Sequence, residues 1–156
     1  MKLQRLHVED FRNIPLARLA FAGQSTFLLG NNGQGKSNLL EAAGLLTALR
    51  SFRTAESKAL IRHGQSQARL YFVCERTDKQ TEEVELTLTR SAKQLKVDGE
   101  KVSRLADFLG QYPTVTLAAE DIQLIRGSPA LRRRFLDMTL AATSKQYFEA
   151  LRRYHR

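Results

Sequence analysis

The sequence has 156 residues, enough for one domain with a sizeable core and too few to expect two independent ones. Hydrophobic residues make up 42% and charged residues 26% of the chain, values near those of folded globular proteins, which excludes a disordered or low-complexity chain. The formal net charge of +9 favours a polyanionic partner such as nucleic acid.

The start of the chain is charged every few residues, unlike a secretion signal, and no later apolar stretch is long enough to span a membrane. We therefore expect a cytoplasmic protein without a membrane partner.

The first predicted elements are strands. Leu3, Leu6 and Val8 leading into Phe11, and the apolar run 14–21, predict two strands joined around 10–13. The run 26–29 ends at Gly30 and predicts a short buried strand.

A phosphate-binding loop follows. Residues 30–37 have the pattern G-x-x-x-x-G-K-S, in which glycines let successive N–H groups turn toward phosphate oxygens. Lys36 is expected to reach the β and γ phosphates, and the Ser37 hydroxyl to bind Mg²⁺. The alternative, a glycine turn without a ligand, is disfavoured because a predicted strand precedes the loop and a predicted helix follows it. The loop predicts binding of ATP with Mg²⁺ by Gly30, Asn31, Asn32, Gly33, Gln34, Gly35, Lys36 and Ser37.

The middle of the chain combines one helix with a meander of strands. Residues 37–49 are helix formers and apolar nearly all round, which predicts a buried helix. Period-two alternation over 69–75, 84–89 and 95–97 predicts a small antiparallel sheet beside the nucleotide site. The single cysteine, Cys74, lies in an apolar stretch, which favours a buried, unreactive thiol.

The last third is predicted to be mainly helical. Ser103 can cap a short helix through Leu109, and the β-branched run 113–117 predicts one more strand. Ser128 followed by proline predicts a helix start, and a second helical pattern follows to the end of the chain. Residues 126–156 carry eight basic and two acidic residues, +6 of the net +9, so this segment is the expected polyanion contact.

Hydrolysis of ATP needs a second carboxylate, and the sequence offers no clear one. Such a group normally ends a run of aliphatic residues and holds Mg²⁺ through water. Glu75 fits a solvated strand residue better. Glu120 and Asp121 fit equally an acidic pair at a helix N-terminus, so Glu120 is kept as a further candidate Mg²⁺ ligand.

Several motifs together carry a family resemblance. They are Phe11-Arg12-Asn13, the loop followed by Asn38-Leu39-Leu40-Glu41-Ala42, Phe52-Arg53-Thr54, Ile61-Arg62-His63-Gly64, Leu95-Lys96-Val97-Asp98-Gly99, Glu120-Asp121 and the segment 127–137 with Arg132-Arg133-Arg134-Phe135-Leu136-Asp137. The series resembles the N-terminal half of the RecF family of bacterial recombinational repair proteins, related to ABC-type and structural-maintenance-of-chromosomes (SMC) ATPases. The resemblance covers the whole chain.

The resemblance implies an α/β fold: half of a P-loop ABC-type ATPase head with a small antiparallel β subdomain and a helical C-terminal segment. Residues 1–118 would form the nucleotide-binding lobe with the antiparallel insert 68–98, and residues 119–156 would begin a helical lobe. The family's signature loop and Walker B strand lie in its C-terminal half. The chain therefore looks like an N-terminal fragment that binds ATP weakly and hydrolyses it poorly.

The function implied by the resemblance is ATP-dependent DNA binding in DNA replication, recombination and repair, including gap repair and the SOS response to DNA damage. ATP would drive homodimerisation on double-stranded DNA and gap junctions. RecR would be a direct partner, and RecA would be loaded at the single-stranded gap. The whole protein would be a weak DNA-dependent ATPase.

The resemblance also assigns site residues by position. Arg12 and Asn13 would reach the nucleotide from the N-terminal hairpin, and Asn32 and Asn38 would lie beside the phosphates. Arg53 and Thr54 would close over the base and ribose, although a solvated loop arginine is an equal alternative.

The DNA contact is assigned to the basic segment. Arg132, Arg133 and Arg134 are expected to include one or two phosphate contacts, because successive helix positions about 100° apart cannot all face one ligand. A third could pair with Asp137, or all could form an exposed charged face. The family's γ-phosphate-sensing glutamine has no counterpart at 118–121, and Gln123 lies slightly downstream.

A compact P-loop kinase or phosphotransferase is the alternative enzyme class. In that hypothesis Arg132–Arg134 would act as a lid and Asp121 as the Mg²⁺ carboxylate. The antiparallel strands over 69–97 favour the ATPase head instead. His63 has no metal-ligand or nucleophile partner nearby in the sequence, which favours a structural role.

Overall fold

The computed structural model describes residues 1–54, 56–108 and 110–154. The strands are β1 (Lys2–Phe11), β2 (Ile14–Ala20), β3 (Gln67–Glu75), β4 (Thr81–Thr89), β5 (Lys93–Val97) and β6 (Glu100–Lys101). The helices are α1 (Lys36–Ala48), α2 (Leu105–Phe108), α3 (Gln123–Arg126), α4 (Pro129–Thr143) and α5 (Lys145–Tyr154). Single 3₁₀ turns cover Ser57–Leu60 and Ala119–Ile122.

One antiparallel sheet organises the N-terminal two thirds of the chain. Its strand order is β2-β1-β3-β4-β5-β6. The sequence predicted the β1–β2 hairpin and the later strands as separate units. They belong to one sheet, because β3 pairs with the free edge of β1 from Lys2↔Glu75 to Glu9↔Arg69. This register sets Leu6 beside Phe72, so apolar side chains of neighbouring strands share one face.

That face carries the hydrophobic core. Leu6, Val8, Leu70, Phe72 and Leu86 alternate with more exposed residues and are each 0% exposed. Fully burying a side chain of this size stabilises the fold by about 1.5–3 kcal/mol. Helix α1 contributes to the same buried cluster through Ala42, Leu45 and Leu46. The sheet and the helix after the phosphate loop therefore form one packed unit.

Helix α1 is not buried all round, contrary to the prediction from its apolar composition. It buries one stripe, while Leu40 on the opposite side is 57% exposed. An apolar residue buries only where another element covers it, and composition cannot supply that information. The same stripe contains a charged residue, Glu41, that is 0% exposed.

Two predicted strands are wrong. Residues 26–29 and 113–117 have no regular secondary structure. Phe27 and Leu29 are 82% and 90% exposed, and Val115 and Leu117 are 100% and 90% exposed. In the described part of the chain, strand pairing is confined to the six-stranded sheet and a Phe11↔Ile61 bridge. Neither apolar run therefore pairs with a neighbouring strand.

The helices of the last third match their sequence signals. α4 starts at Pro129 after Ser128, which is extended at the N-cap position but makes no side-chain cap hydrogen bond. α5 is capped by Ser144, whose Oγ accepts from Tyr147 N at 3.2 Å. The predicted short helix is observed as α2, and Leu109 at its expected end lies outside the described residues. Over the described ranges, no helix is long and apolar enough to cross a membrane.

Candidate nucleotide site

The phosphate loop lies between the hairpin and α1, and its shape depends on glycine. Gly33 and Gly35 have φ of 82° and 101°, in the left-handed region where L side chains are strained. A Cβ on Gly35 would lie 2.9 Å from Asn13 Oδ1 and 3.2 Å from Ile14 Cγ1. The loop therefore needs glycine at position 35 for both its backbone angle and its close approach to the hairpin.

Lys36 closes the loop on itself. Its Nζ donates to Gly30 O at 2.7 Å and to Asn31 O at 2.8 Å, spanning the loop from its last residues to its first. The ammonium group is thus held among the loop residues that would surround a phosphate.

Helix α1 adds to the positive potential of the loop. Its first turn contains no acidic residue, so no side chain offsets the positive end of the helix dipole. The first N–H groups of a helix also lack acceptors within the helix. Ser37 stands in this first turn and is exposed. Together these features suit an anion.

The hairpin turn braces the loop. Arg12 adopts φ of 55°, which turns the chain sharply between β1 and β2. Asn13 Nδ2 then donates to Gly33 O at 2.8 Å, and Asn13 Oδ1 accepts from Asn38 Nδ2 at 2.8 Å. One amide therefore connects the hairpin, the phosphate loop and helix α1.

Glu41 is the centre of a second set of contacts. Arg12 donates to its carboxylate with two nitrogens, Nε to Oε2 at 3.0 Å and Nη2 to Oε1 at 2.7 Å. Arg53 Nη1 lies 3.4 Å from Oε2, and Ser51 Oγ donates to Oε1. A fully buried carboxylate is thereby paired with two guanidinium groups and accepts a further hydrogen bond from one hydroxyl.

The loop after α1 is shaped by the same residues. Ser51 Oγ accepts from Arg53 N at 2.9 Å and from Thr54 N at 3.0 Å, which fixes the turn that carries both predicted site residues. Arg53 Nη1 also donates to Asn38 Oδ1 at 2.8 Å. These contacts link five of the six residues assigned by resemblance, namely Arg12, Asn13, Asn38, Arg53 and Thr54, and the sixth, Asn32, lies in the loop itself. The contact of all six with nucleotide remains a prediction.

Glu41, the centre of these contacts, was not singled out from the sequence. It was quoted only as part of a motif, because it sits within a helix otherwise judged by its apolar character. A usable signal existed: an acidic residue at a position whose helical neighbours Ala42 and Leu45 are apolar must be paired if it is buried.

The remaining candidates lie elsewhere. Glu120 stands in the second 3₁₀ turn, but its side chain is outside the described residues. Asp121 Oδ2 accepts from Ala118 N at 2.7 Å, as expected for an acid that caps its own turn. Among the residues that the structure describes, no cluster of three or more His, Cys, Asp or Glu could hold a metal ion by itself. His63 is exposed.

The three successive arginines are all exposed on α4. Arg132 Nη1 donates to Gly127 O at 3.1 Å, which ties it to the turn before the helix. Asp137 accepts a hydrogen bond from Tyr147 Oη at 2.6 Å and joins α4 to α5, so its partner is a tyrosine and not the arginine expected. This bond also raises the pKa of Tyr147.

Cys74 matches the prediction of an inert thiol. Its side chain is buried in β3. Burial, helped by the charge of Glu82, raises the pKa of the thiol to about 11, so the reactive thiolate is scarce at neutral pH.

Comparison with known proteins identifies the family of this chain. Residues 2–120 match the RecF/RecN/SMC N terminal domain. The chain belongs to this family. A relative named DNA replication and repair protein RecF, from Thermosynechococcus vestitus, is 38% identical over 156 residues, covering 100% of this chain and 41% of the relative. One of the same name from Lactococcus lactis subsp. cremoris is 36% identical, covering 100% of this chain and 43% of the relative.

Solved structures support the same assignment. RecF-ATP, a recombination mediator protein in the RecFOR pathway, matches with a TM-score of 0.92 at 32% identity over 98% of this chain and 41% of that one. RecF-ATPrS matches with a TM-score of 0.91 at 32% identity, covering 99% and 42%. The SMC head domain from Thermotoga maritima, at 24% identity and a TM-score of 0.55 over 72% of this chain and 43% of that one, shares the fold alone.

The predicted α/β ATPase-head fold and the predicted resemblance to RecF are therefore confirmed. The chain spans 41% of the length of the first of these relatives and 43% of the second.

Proposed function

We propose that this chain is the phosphate-binding part of an ATP-dependent DNA replication and repair protein, and that residues 30–37 bind Mg²⁺-ATP. The observation that carries the proposal is the closed loop: Lys36 Nζ bridges Gly30 O and Asn31 O at the start of a helix with no acid in its first turn. Relatives solved as RecF-ATP and RecF-ATPrS support ATP as the nucleotide.

The chain's own residues would share the work. The loop N–H groups and the Lys36 ammonium would bind phosphate oxygens, and Ser37 would ligate Mg²⁺. The bound metal would neutralise phosphate charge. Asn13 and Asn38 would hold the loop in shape, while Arg53 would approach the nucleotide from the loop after α1.

The test is the affinity of this chain for Mg²⁺-ATP, measured by titration calorimetry. Lys36→Ala removes the bridging ammonium and is expected to weaken binding by at least about tenfold, the effect of one charge-assisted phosphate contact. Lys101→Ala, which removes an exposed lysine from β6, is the matched control and should bind like the parent. Equal affinity of the parent and Lys36→Ala would rule out the loop as the phosphate site.

We propose duplex DNA and gap junctions as the polyanionic partner. Arg133 and Arg134 are exposed, and residues 126–156 hold +6 of the net charge of +9, with eight basic and two acidic residues. Affinity should fall linearly with salt on a log-log plot, and replacing both arginines by alanine should reduce the slope by about one for each phosphate that these side chains neutralise. A slope unchanged in that variant would exclude these arginines as the DNA-binding residues.

Further parts of the proposal follow from the family's pathway. We also propose ATP-driven homodimerisation, contact with RecR, help in loading RecA at gaps and a cytoplasmic location, as the family resemblance implies. The solved relatives are described as recombination mediator proteins of the RecFOR pathway. The kinase alternative is not favoured, since the relatives and neighbours above are RecF proteins and an SMC head.

A further inference from the structure

We infer that Glu41 is a positioning residue: it holds Arg12 and Arg53 beside the phosphate loop and so determines how tightly the site takes phosphate. This inference rests on the proposed function. It goes beyond it by assigning a control point to a buried side chain of α1 that lies outside residues 30–37.

The first support is the burial of the carboxylate. Glu41 is 0% exposed, whereas the side chains of Arg12 and Arg53 are 20% and 35% exposed. A buried carboxylate is costly unless it is fully hydrogen-bonded and paired. With two arginines and Ser51 as donors, the group is satisfied only while those side chains stay in place.

The second support is the difference between the two arginines. Arg12 contacts Glu41 in the two-pronged geometry that fixes both position and orientation. Arg53 contacts the same carboxylate with one nitrogen at 3.4 Å and shares that nitrogen with Asn38. Glu41 therefore orients the Arg12 guanidinium directly, and it joins Arg53 to Asn38 beside the phosphate loop.

The third support is an unbroken path to the loop. Arg53 donates to Asn38 Oδ1, Asn38 Nδ2 donates to Asn13 Oδ1, and Asn13 Nδ2 donates to Gly33 O. Every step is 2.8 Å. Loss of the Glu41 charge would remove the anion that Arg12 and Arg53 share. It would thereby weaken the first hydrogen bond of this path, from Arg53 to Asn38.

The experiment measures the Mg²⁺-ATP dissociation constant of the chain and of variants by titration calorimetry, with thermal melting as a check of folding. Glu41→Gln keeps the side-chain shape and removes the charge, and it should weaken binding about tenfold, as other orienting partners do. Arg53→Ala should weaken binding to a similar extent. The double variant Glu41→Gln/Arg53→Ala should have about the same affinity for Mg²⁺-ATP as whichever single variant binds it less tightly, because Glu41 acts through Arg53.

Two further variants make the test specific. Glu41→Asp keeps the charge and should recover part of the affinity. Glu85→Gln is the matched control, since Glu85 on β4 pairs with one lysine, Lys96, at 3.5 Å, away from the loop, and it should bind like the parent. If Glu41→Gln fails to fold, Glu41→Asp carries the test, because it keeps the charge but shortens its reach to the arginines and should weaken binding about threefold.

The outcomes separate the two proposals. A folded parent chain that does not bind ATP overturns the proposed function and this inference together. A parent that binds, with a folded Glu41→Gln variant of equal affinity, or a folded Glu41→Asp variant of equal affinity where Glu41→Gln does not fold, overturns the inference alone. Fully additive effects of Glu41→Gln and Arg53→Ala would also overturn it, because they would show that the two residues act independently.

Discussion

The chain up to Tyr112 and the chain after it differ in what stabilises them. Every described residue that is buried lies between Leu6 and Tyr112, in the sheet, in α1 and in the segments packed on them. From residue 113 to residue 154, none of the side chains that the structure describes is buried. The first region is held by a shared core. The second forms helices whose large apolar residues, such as Phe135 and Leu136, remain half exposed.

The difference shows that helix formation and burial are separate events in this chain. α4 has local signals that need no partner: proline at its first turn and good helix formers after it. α5 has Ser144 as a cap and two arginines in its last turn, which favour the negative end of the helix dipole. Strands lack such local support, which is why residues 113–117 stay irregular next to two regular helices.

The largest expected effect comes from the same substitution made in both regions. Phe72→Ala empties a site that is 0% exposed and should lower the free energy of unfolding by about 3–5 kcal/mol. Phe135→Ala removes a ring that is 51% exposed and should cost less than about 1 kcal/mol. Urea denaturation followed by circular dichroism measures both. Similar values for the two variants would show that α4 is packed as tightly as the sheet.

An intermediate effect is expected at the boundary between the regions. Tyr112 is 1% exposed, and its hydroxyl donates to Glu82 Oε2 at 2.6 Å. Burial, with the help of Glu82, raises the pKa of Tyr112, so the hydroxyl stays protonated and keeps donating up to alkaline pH. Tyr112→Phe keeps the ring and should cost about 1 kcal/mol in the same denaturation experiment. An unchanged free energy of unfolding would mean that water replaces the tyrosine at Glu82.

The smallest effect is expected for an ion pair that crosses the boundary. Lys145 of α5 lies 2.9 Å from Asp107 of α2, with both side chains well exposed. The hydrogen bond from Lys145 lowers the pKa of Asp107 in the folded protein. The contribution of this ion pair to folding stability is therefore fully present at pH values above the ordinary aspartate pKa, and it is lost as the pH falls through the lowered pKa.

Lys145→Ala should therefore lower the melting temperature by less than about 2 °C at pH 7 and have no effect near pH 2. A decrease of several degrees at pH 7 would show that this one ion pair attaches the second region to the first. Lys79→Ala, in the exposed turn between β3 and β4, is the control for removing one positive charge.

The sequence predicted the elements whose evidence is local. The hairpin around residues 10–13, the strands β3 to β5 and the start of α4 lie within a few residues of their predicted positions, since alternation, turn residues and capping signals act over short distances. The predictions for 26–29 and 113–117 failed because strand formation depends on a partner that periodicity cannot reveal.

The site was predictable to the same extent. The glycine–lysine loop is a contiguous pattern, so its eight residues could be proposed directly, and their contact with nucleotide stays a prediction. The partners of Glu41 and Ser51 could not be predicted, because these contacts form only where the hairpin and the loop after α1 meet over the helix. The partner of Asp137 was missed for a similar reason: Tyr147 is ten residues away, beyond the neighbours that helical spacing considers.

Gly33 and Gly35 differ in how much substitution the phosphate loop can accept. A Cβ at Gly33 would meet nothing within 4 Å, so an alanine there carries only the strain of a left-handed backbone, about 1–2 kcal/mol. At Gly35 the same methyl would also press on Asn13 and Ile14. Mutational tolerance should thus be graded within one loop. Position 35 should therefore tolerate substitution less well than position 33, where the strain of the backbone is the whole cost.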